Sequence, residues 1–150
     1  MAVCEASAAD CLYRSAVKKT GELVNVSGDL NTIMAGLACG EGNTIGWDIL
    51  RNHAAVFASC PDWMSAKATR IYANPLEGDP HIVSGESGSV PLGLVYTALH
   101  DKDARDLKEA LKLDENSNIL VISTEGDTDP VRYREIVWDG LYGTDKSLSK

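Results

Sequence analysis

Three short polar runs carry most of the residues that could do chemistry: Gly40-Glu-Gly-Asn43, Ser84-Gly-Glu-Ser-Gly-Ser89 and Ser123-Thr-Glu-Gly-Asp127. Each sets one glutamate among small residues at the point where an apolar run gives way to a helical pattern. Free N–H groups at a helix start can hold an anion. If the turns met in one cleft, Glu41, Glu86 and Glu125 would be placed for acid–base work. The same carboxylates are equally what ordinary helix caps and surfaces use. None of the runs is a P-loop or a Gly-x-Gly-x-x-Gly fingerprint, so the pattern alone names no reaction. No lysine stands out as a nucleophile: Lys18, Lys19, Lys67, Lys102, Lys108, Lys112, Lys146 and Lys150 all lie in charged or helix-surface contexts.

Metal chemistry has little to rest on. Cys4, Cys11, Cys39 and Cys60 form no Cys-x-x-Cys pair, and His53, His81 and His100 are scattered. A zinc site normally shows clustered spacing. Buried, reduced thiols are the expected state, with a disulfide left open. The chain of 150 residues is 44% apolar and 24% charged, with a net charge of −8, which suits one globular domain with a single core. An acidic chain without a basic stripe is a poor partner for nucleic acid or an anionic membrane. No apolar run is long enough to span a bilayer and no signal peptide precedes Ala2, so the expected location is cytoplasmic.

The elements that must position these runs alternate between strand and helix. Asn118 to Pro130 organises the reading: Ile119 to Ile122 predicts a strand buried on both faces, and Asp129 and Pro130 cap and open a helix. In open α/β sheets the carboxyl end of such a strand is where ligands sit, although ordinary junctions share the pattern. Upstream, Ala2-Val3-Cys4 reads as the end of a buried strand, as in a piece of a larger protein. A helix over Ala8 to Lys18 has Cys11, Leu12, Ser15 and Ala16 on one face. Gly21 to Asp29 is turn-rich, and the small residues of Thr32 to Gly40 suit either close packing or close approach to a ligand. Asn43 caps a helix to about His53 with Ile45, Ile49 and Leu50 on its buried stripe. Ala55 to Ser59 is a strand, Pro61 opens a helix that Asn74-Pro75 stops, and His81 to Ser84 is a short strand. A helix bearing Leu94, Val95, Ala98 and Leu99 follows the Gly85–Gly88 turn. Asp103 to Leu113 is amphipathic, with Ala104, Leu107 and Leu111 inward. Tyr133, Ile136, Val137 and Leu141 mark the last helix. The whole predicts an α/β fold in three layers with a mostly parallel sheet: one unit over 1–142 and a polar tail over 143–150.

Five blocks in order carry a resemblance that no single motif does. They are Asn31-Thr-Ile-Met-Ala-Gly-Leu-Ala-Cys-Gly-Glu41, Ser59-Cys-Pro-Asp-Trp63, Ile82-Val-Ser-Gly-Glu-Ser-Gly88, Ile122-Ser-Thr-Glu-Gly-Asp-Thr-Asp-Pro130 and Tyr133-Arg-Glu-Ile-Val-Trp138. From Cys4 to about Gly140 the chain resembles the C-terminal part of the diaminopropionate ammonia-lyase family. These are pyridoxal-phosphate enzymes of fold type II, the tryptophan-synthase-β-like fold, and the chain corresponds to part of the large domain. The resemblance implies conversion of 2,3-diaminopropionate to pyruvate and ammonia by α,β-elimination, with the cofactor as electron sink. It implies that Ser123, or its neighbour Thr124, meets the pyridine nitrogen. It places Met34-Ala35-Gly36 beside the cofactor ring and Glu86 in a turn facing the active site.

The departures are as informative. The family's Schiff-base lysine and its acidic catalytic partner lie in an N-terminal half with no counterpart here, its glycine-rich phosphate loop lies just upstream of the strand ending at Cys4 and is also missing, and Gly42 stands where proline is common. The chain alone is therefore expected to lack catalytic residues, to bind no cofactor by itself, and to need either a second copy or the missing half as partner for work on a small amino-acid substrate. The alternative is a non-catalytic α/β module that binds a metabolite or self-associates.

Overall fold

A computed structural model gives the structure of the protein over residues 1–143. The element order is β1 (Ala2–Ala6), α1 (Cys11–Lys18), a 3-10 turn (Ala35–Leu37), α2 (Thr44–His53), β2 (Val56–Cys60), α3 (Asp62–Ala73), α4 (Glu86–His100), α5 (Arg105–Leu111) and α6 (Pro130–Val137). β1 and β2 pair in parallel, with Cys4 opposite Ala58 and Ala6 opposite Cys60.

The period of two along a strand sorts these residues into layers. Ala6, Ala58 and Cys60 turn to one face and form the core with Met34, Val90 and Leu94, partly backed by Cys4. The alternate positions turn to the other face. There the Glu5 carboxylate accepts the N–H groups of Leu12 and Tyr13 at 3.0 and 2.7 Å. Ser59 donates to Asp10, and Phe57 lies against Trp47 of α2. Helices therefore cover both faces, α1 and α2 on one and α4 on the other, which gives the expected three layers. Glu5 fills the place of an N-cap side chain for α1, whose own Asp10 makes no such bond.

Local signals fix several ends as the sequence indicates. Asn43 accepts from Gly46 N at 2.8 Å and Asp129 from Arg132 N at 3.0 Å, each capping the helix that follows. Arg70 of α3 donates to the carbonyls of Ile136, Leu141 and Tyr142 and so holds the end of α6.

Four expectations are corrected. Ile119 to Ile122 is not a buried strand: it pairs with nothing among the described residues, and Leu120 and Ile122 are 86% and 68% exposed. A strand exists only as one side of a ladder, and here an open groove of about 400 Å³ separates this segment from Ala2 and Cys4 of β1, with Pro91, Leu94 and Val95 of α4 also in its walls. His81 to Ser84 likewise has no ladder, and Ile82 N bonds back to Tyr72 O instead. On α2 the apolar stripe faces out, with Ile45 and Ile49 exposed. Trp47 is the buried residue, held by an indole N–H bond to Gly21 O at 2.8 Å. Leu141 lies past the end of α6, which stops at Val137. Of the polar tail over 143–150, all but Gly143 falls outside the described residues.

Candidate functional site

Two of the three polar runs come together at the start of α4. The Ser84 and Ser123 hydroxyls lie 2.7 Å apart, and Ser123 also reaches Glu125 O at 3.1 Å. Glu125 Oε1 accepts from Ser87 N at 2.6 Å and Gly88 N at 3.1 Å, while its backbone carbonyl accepts from Gly85 N. The first N–H groups of a helix have no partner within the helix, and a carboxylate suits that positive end. Glu125 is thus the cap of α4, supplied from a turn far along the chain.

Glycines make this approach possible. A Cβ on Gly88 would stand 2.7 Å from Ser123 Oγ and 2.8 Å from Ser84 Oγ, and one on Gly85 would stand 2.8 Å from the Glu125 carboxyl carbon. Any side chain at either position would part the two turns. The 3-10 turn joins the same corner, since Gly36 N donates to Ser87 Oγ at 3.0 Å. Upstream of it, Ile33 N donates to Asp62 at the start of α3. Met34 is buried in the core, whereas Ala35 and Gly36 are exposed beside α4.

The hydroxyl pair has a definite chemical character. Ser123 is exposed and Ser84 is fully buried behind it. If Ser84 donates to Ser123 Oγ, the Ser123 proton points to Glu125 O at 3.1 Å, and it can turn from that carbonyl to an acceptor arriving from the open side. A neutral hydroxyl there suits an unprotonated heteroaromatic nitrogen. Thr124 is also exposed, and no bond of its side chain fixes it among the described residues.

Glu86 is placed differently. It is 7% exposed, and its Oε1 has no hydrogen-bond partner among the described residues. It lines a cavity of about 210 Å³ with Thr32, Ala35, Glu125, Asp129 and Arg132. Burial holds its carboxyl above the usual range; its own backbone N–H opposes this, the charges of Glu125 and Asp129 add to it, and Arg132 opposes it. Glu41 does not join this group; it is exposed and absent from the cavity wall. Larger cavities around Lys67 and Tyr96 on the α3–α4 surface share no residue with the corner.

All four cysteines are free thiols. Cys11 faces the Glu5 carboxylate at 3.6 Å, and burial followed by that charge pushes its thiol up to about 11. Among the described residues no group of three or more His, Cys, Asp or Glu is gathered closely enough to hold a metal ion. No described helix is long and apolar enough to cross a membrane.

The sequence reading singled out Ser123, Thr124, Glu86 and the Met34–Gly36 stretch but passed over Ser84. Its signal was available: Ser84 and Ser123 each end an apolar run just before a glycine-bearing turn.

No family model matches the chain. It is 52% identical over 140 residues to the diaminopropionate ammonia-lyase of Escherichia coli K12, a match that covers 93% of this chain and 35% of that protein. The crystal structure of the Escherichia coli enzyme with an aminoacrylate–PLP azomethine reaction intermediate superposes with a TM-score of 0.85 at 48% identity, covering 95% of this chain and 35% of that one. The complex of the same enzyme with D-serine gives a TM-score of 0.83 at 47% identity, over 94% and 34% of the two chains. The chain spans about a third of the length of the relatives it matches, and over that span it has their fold: α/β with a parallel sheet, as in PLP fold type II.

Proposed function

We propose that this chain, similar over 93% of its length to diaminopropionate ammonia-lyase, forms part of a PLP-dependent lyase that converts 2,3-diaminopropionate to pyruvate and ammonia. The observation that carries the reading is the glycine-cleared pair of hydroxyls, Ser84 behind Ser123, at the mouth of the corner between α4 and the Ser123–Asp127 turn. When bound, PLP supplies the electron sink for loss of the α-proton and of the β-amino group.

The residues present fit that group. Ser123 donates to the pyridine nitrogen without protonating it, and Ser84 fixes the rotamer of Ser123 from behind. Ala35 and Gly36, held to α4 through Ser87, offer a flat backbone wall beside the ring, and buried Met34 anchors that wall in the core. Thr124 stands next to Ser123 on the open side. The lysine, the acidic partner and the phosphate loop come from elsewhere in such an enzyme, so residues 1–142 act as one unit of a larger site and the chain alone holds no cofactor. The lysine-bearing part completes it, a second copy can only pair with it because it lacks the same three features, and the cytoplasm is the place of work.

The test is pyruvate release from 2,3-diaminopropionate with PLP, together with borohydride trapping of a cofactor adduct. The chain alone is expected to be silent. A polypeptide that joins this segment to the lysine-bearing part is expected to release pyruvate, and Ser123→Asp in it to abolish release by protonating the ring nitrogen. An inactive joined polypeptide overturns the reading.

A further inference from the structure

The geometry points to Glu86 as the residue that selects a diamino acid, by receiving the substrate's second ammonium group in the 210 Å³ cavity beside the hydroxyl pair. This rests on the lyase reading above and names its specificity determinant.

The other carboxylates in the cavity wall are already engaged. Glu125 takes two N–H groups of α4, and Asp129 takes the N–H of Arg132 to cap α6. Glu86 has no such duty for its Oε1, although it is more than nine-tenths buried. A buried carboxylate oxygen without a partner among the described residues is costly, and the cost is reduced when a cation arrives. The cavity favours a cation. It carries three carboxylates against one guanidinium, and Arg132 leans toward Glu135 at 3.2 Å.

The size and donor set narrow the choice. A volume of 210 Å³ takes a group of a few heavy atoms. The carboxylates are not gathered closely enough to enclose a metal ion. A primary ammonium needs only one strong acceptor and gains a charge-assisted hydrogen bond from it. Position supports the same conclusion. Glu86 is one residue from Ser87, which binds the 3-10 turn, and two from Gly88, whose bare Cα clears Ser84 and Ser123. The cavity therefore flanks the place assigned to the ring. Serine and 2,3-diaminopropionate differ at their β-carbon by a hydroxyl against an ammonium. A site with an unpaired buried carboxylate distinguishes the two by charge, whereas shape alone would not.

The test has one arm that does not use turnover. The chain, labelled with carbon-13 at glutamate carboxyls, is titrated with 2,3-diaminopropionate and separately with serine. Glu86 is expected to shift saturably with the diamino acid and to titrate at lower pH in its presence. Glu86→Gln should remove the saturable response, and Glu86→Asp should keep part of it. No response at Glu86, or an equal one to serine, overturns the inference. In the joined, cofactor-loaded polypeptide, Glu86→Gln is expected to raise KM for 2,3-diaminopropionate roughly tenfold or more relative to its effect on serine; equal changes for both overturn it. Turnover whose preference between the two substrates Glu86→Gln leaves unchanged removes the inference and spares the lyase reading. A Glu86 response to the diamino acid in a polypeptide that turns over nothing does the reverse.

Discussion

At the residue scale the corner is built from groups that satisfy one another, with one exception. Ser84, Ser123 and Glu125 all have partners, while Glu86 Oε1 has none. Its carboxyl is held above the usual range, chiefly by burial, so the folded chain binds that proton more tightly than the unfolded chain does. Stability is then present in full below the unfolded value and falls as pH rises through it toward the folded value. Glu86→Gln is therefore expected to raise the melting temperature at pH 7 by about 2 °C or more, and the gain should vanish near pH 4, where both chains are neutral at this position. Thermal melts across that range check it; a gain that does not change with pH would mean that charge is not the cause. The polar turn that exposes Ser123 was legible in the sequence because its signal is local: the end of an apolar run, then Ser, Thr, Glu and Gly. The pairing of Ser123 with Ser84 was not, because the two are 39 positions apart. Nor could the sequence show that Glu86 would be left unpartnered while Glu125 became a cap.

At the scale of elements, α3 and α4 form the most extensive helix–helix contact, and one glycine sets their distance. A Cβ on Gly93 would run into the backbone carbonyl of Met64. A carbonyl in a helix cannot swing aside as a side-chain end can, so α4 would have to move away from α3. Because α4 carries Glu86, Ser87 and Gly88 at its start, that shift would reach the corner. Gly93→Ala is expected to cost about 2 kcal/mol in denaturant unfolding, the range of an overpacked core, despite the better helix propensity of alanine. A neutral or stabilising result would show that the helices can slide apart without loss. Helix ends at this scale were readable from Asn43, Pro61 and Asp129, since a cap needs only the next few residues. The face of α2 was misread because Ile45, Ile49 and Trp47 compete for one buried stripe, and the indole won through its bond to Gly21 O and its contact with Phe57.

The whole molecule shows why the class of fold was plain and the sheet was not. Alternating apolar and helical patterns announce an α/β layer fold wherever they occur, but a strand must also find a neighbour, and Ile119 to Ile122 finds none among the described residues. Among the described residues, β1 and β2 each keep one edge without a ladder partner. The groove between β1 and Ile119–Val121 is walled mainly by apolar residues, with Lys112 and Asn118 among them, and Leu120 and Ile122 stand exposed beside it. An unpaired parallel edge facing an extended apolar segment is a template for another strand. In isolation the most available source of that strand is a second copy, so the chain is expected to self-associate as its concentration rises. Paired lysines at Leu120 and Ile122 would place charge where a neighbouring chain must pack and would leave the core untouched, since both side chains already face solvent. Light scattering should then give a mass above one chain for the unmodified protein and a mass nearer one chain for the Leu120→Lys, Ile122→Lys variant at equal concentration. If the unmodified chain stays monomeric, the groove is not adhesive. If both associate equally, the exposed Ile45 and Ile49 of α2 become the next surface to charge. Joining the segment to the lysine-bearing part should suppress association in the same way if that part lays a strand in the groove. That outcome would give the open sheet edge and the lyase reading one shared partner.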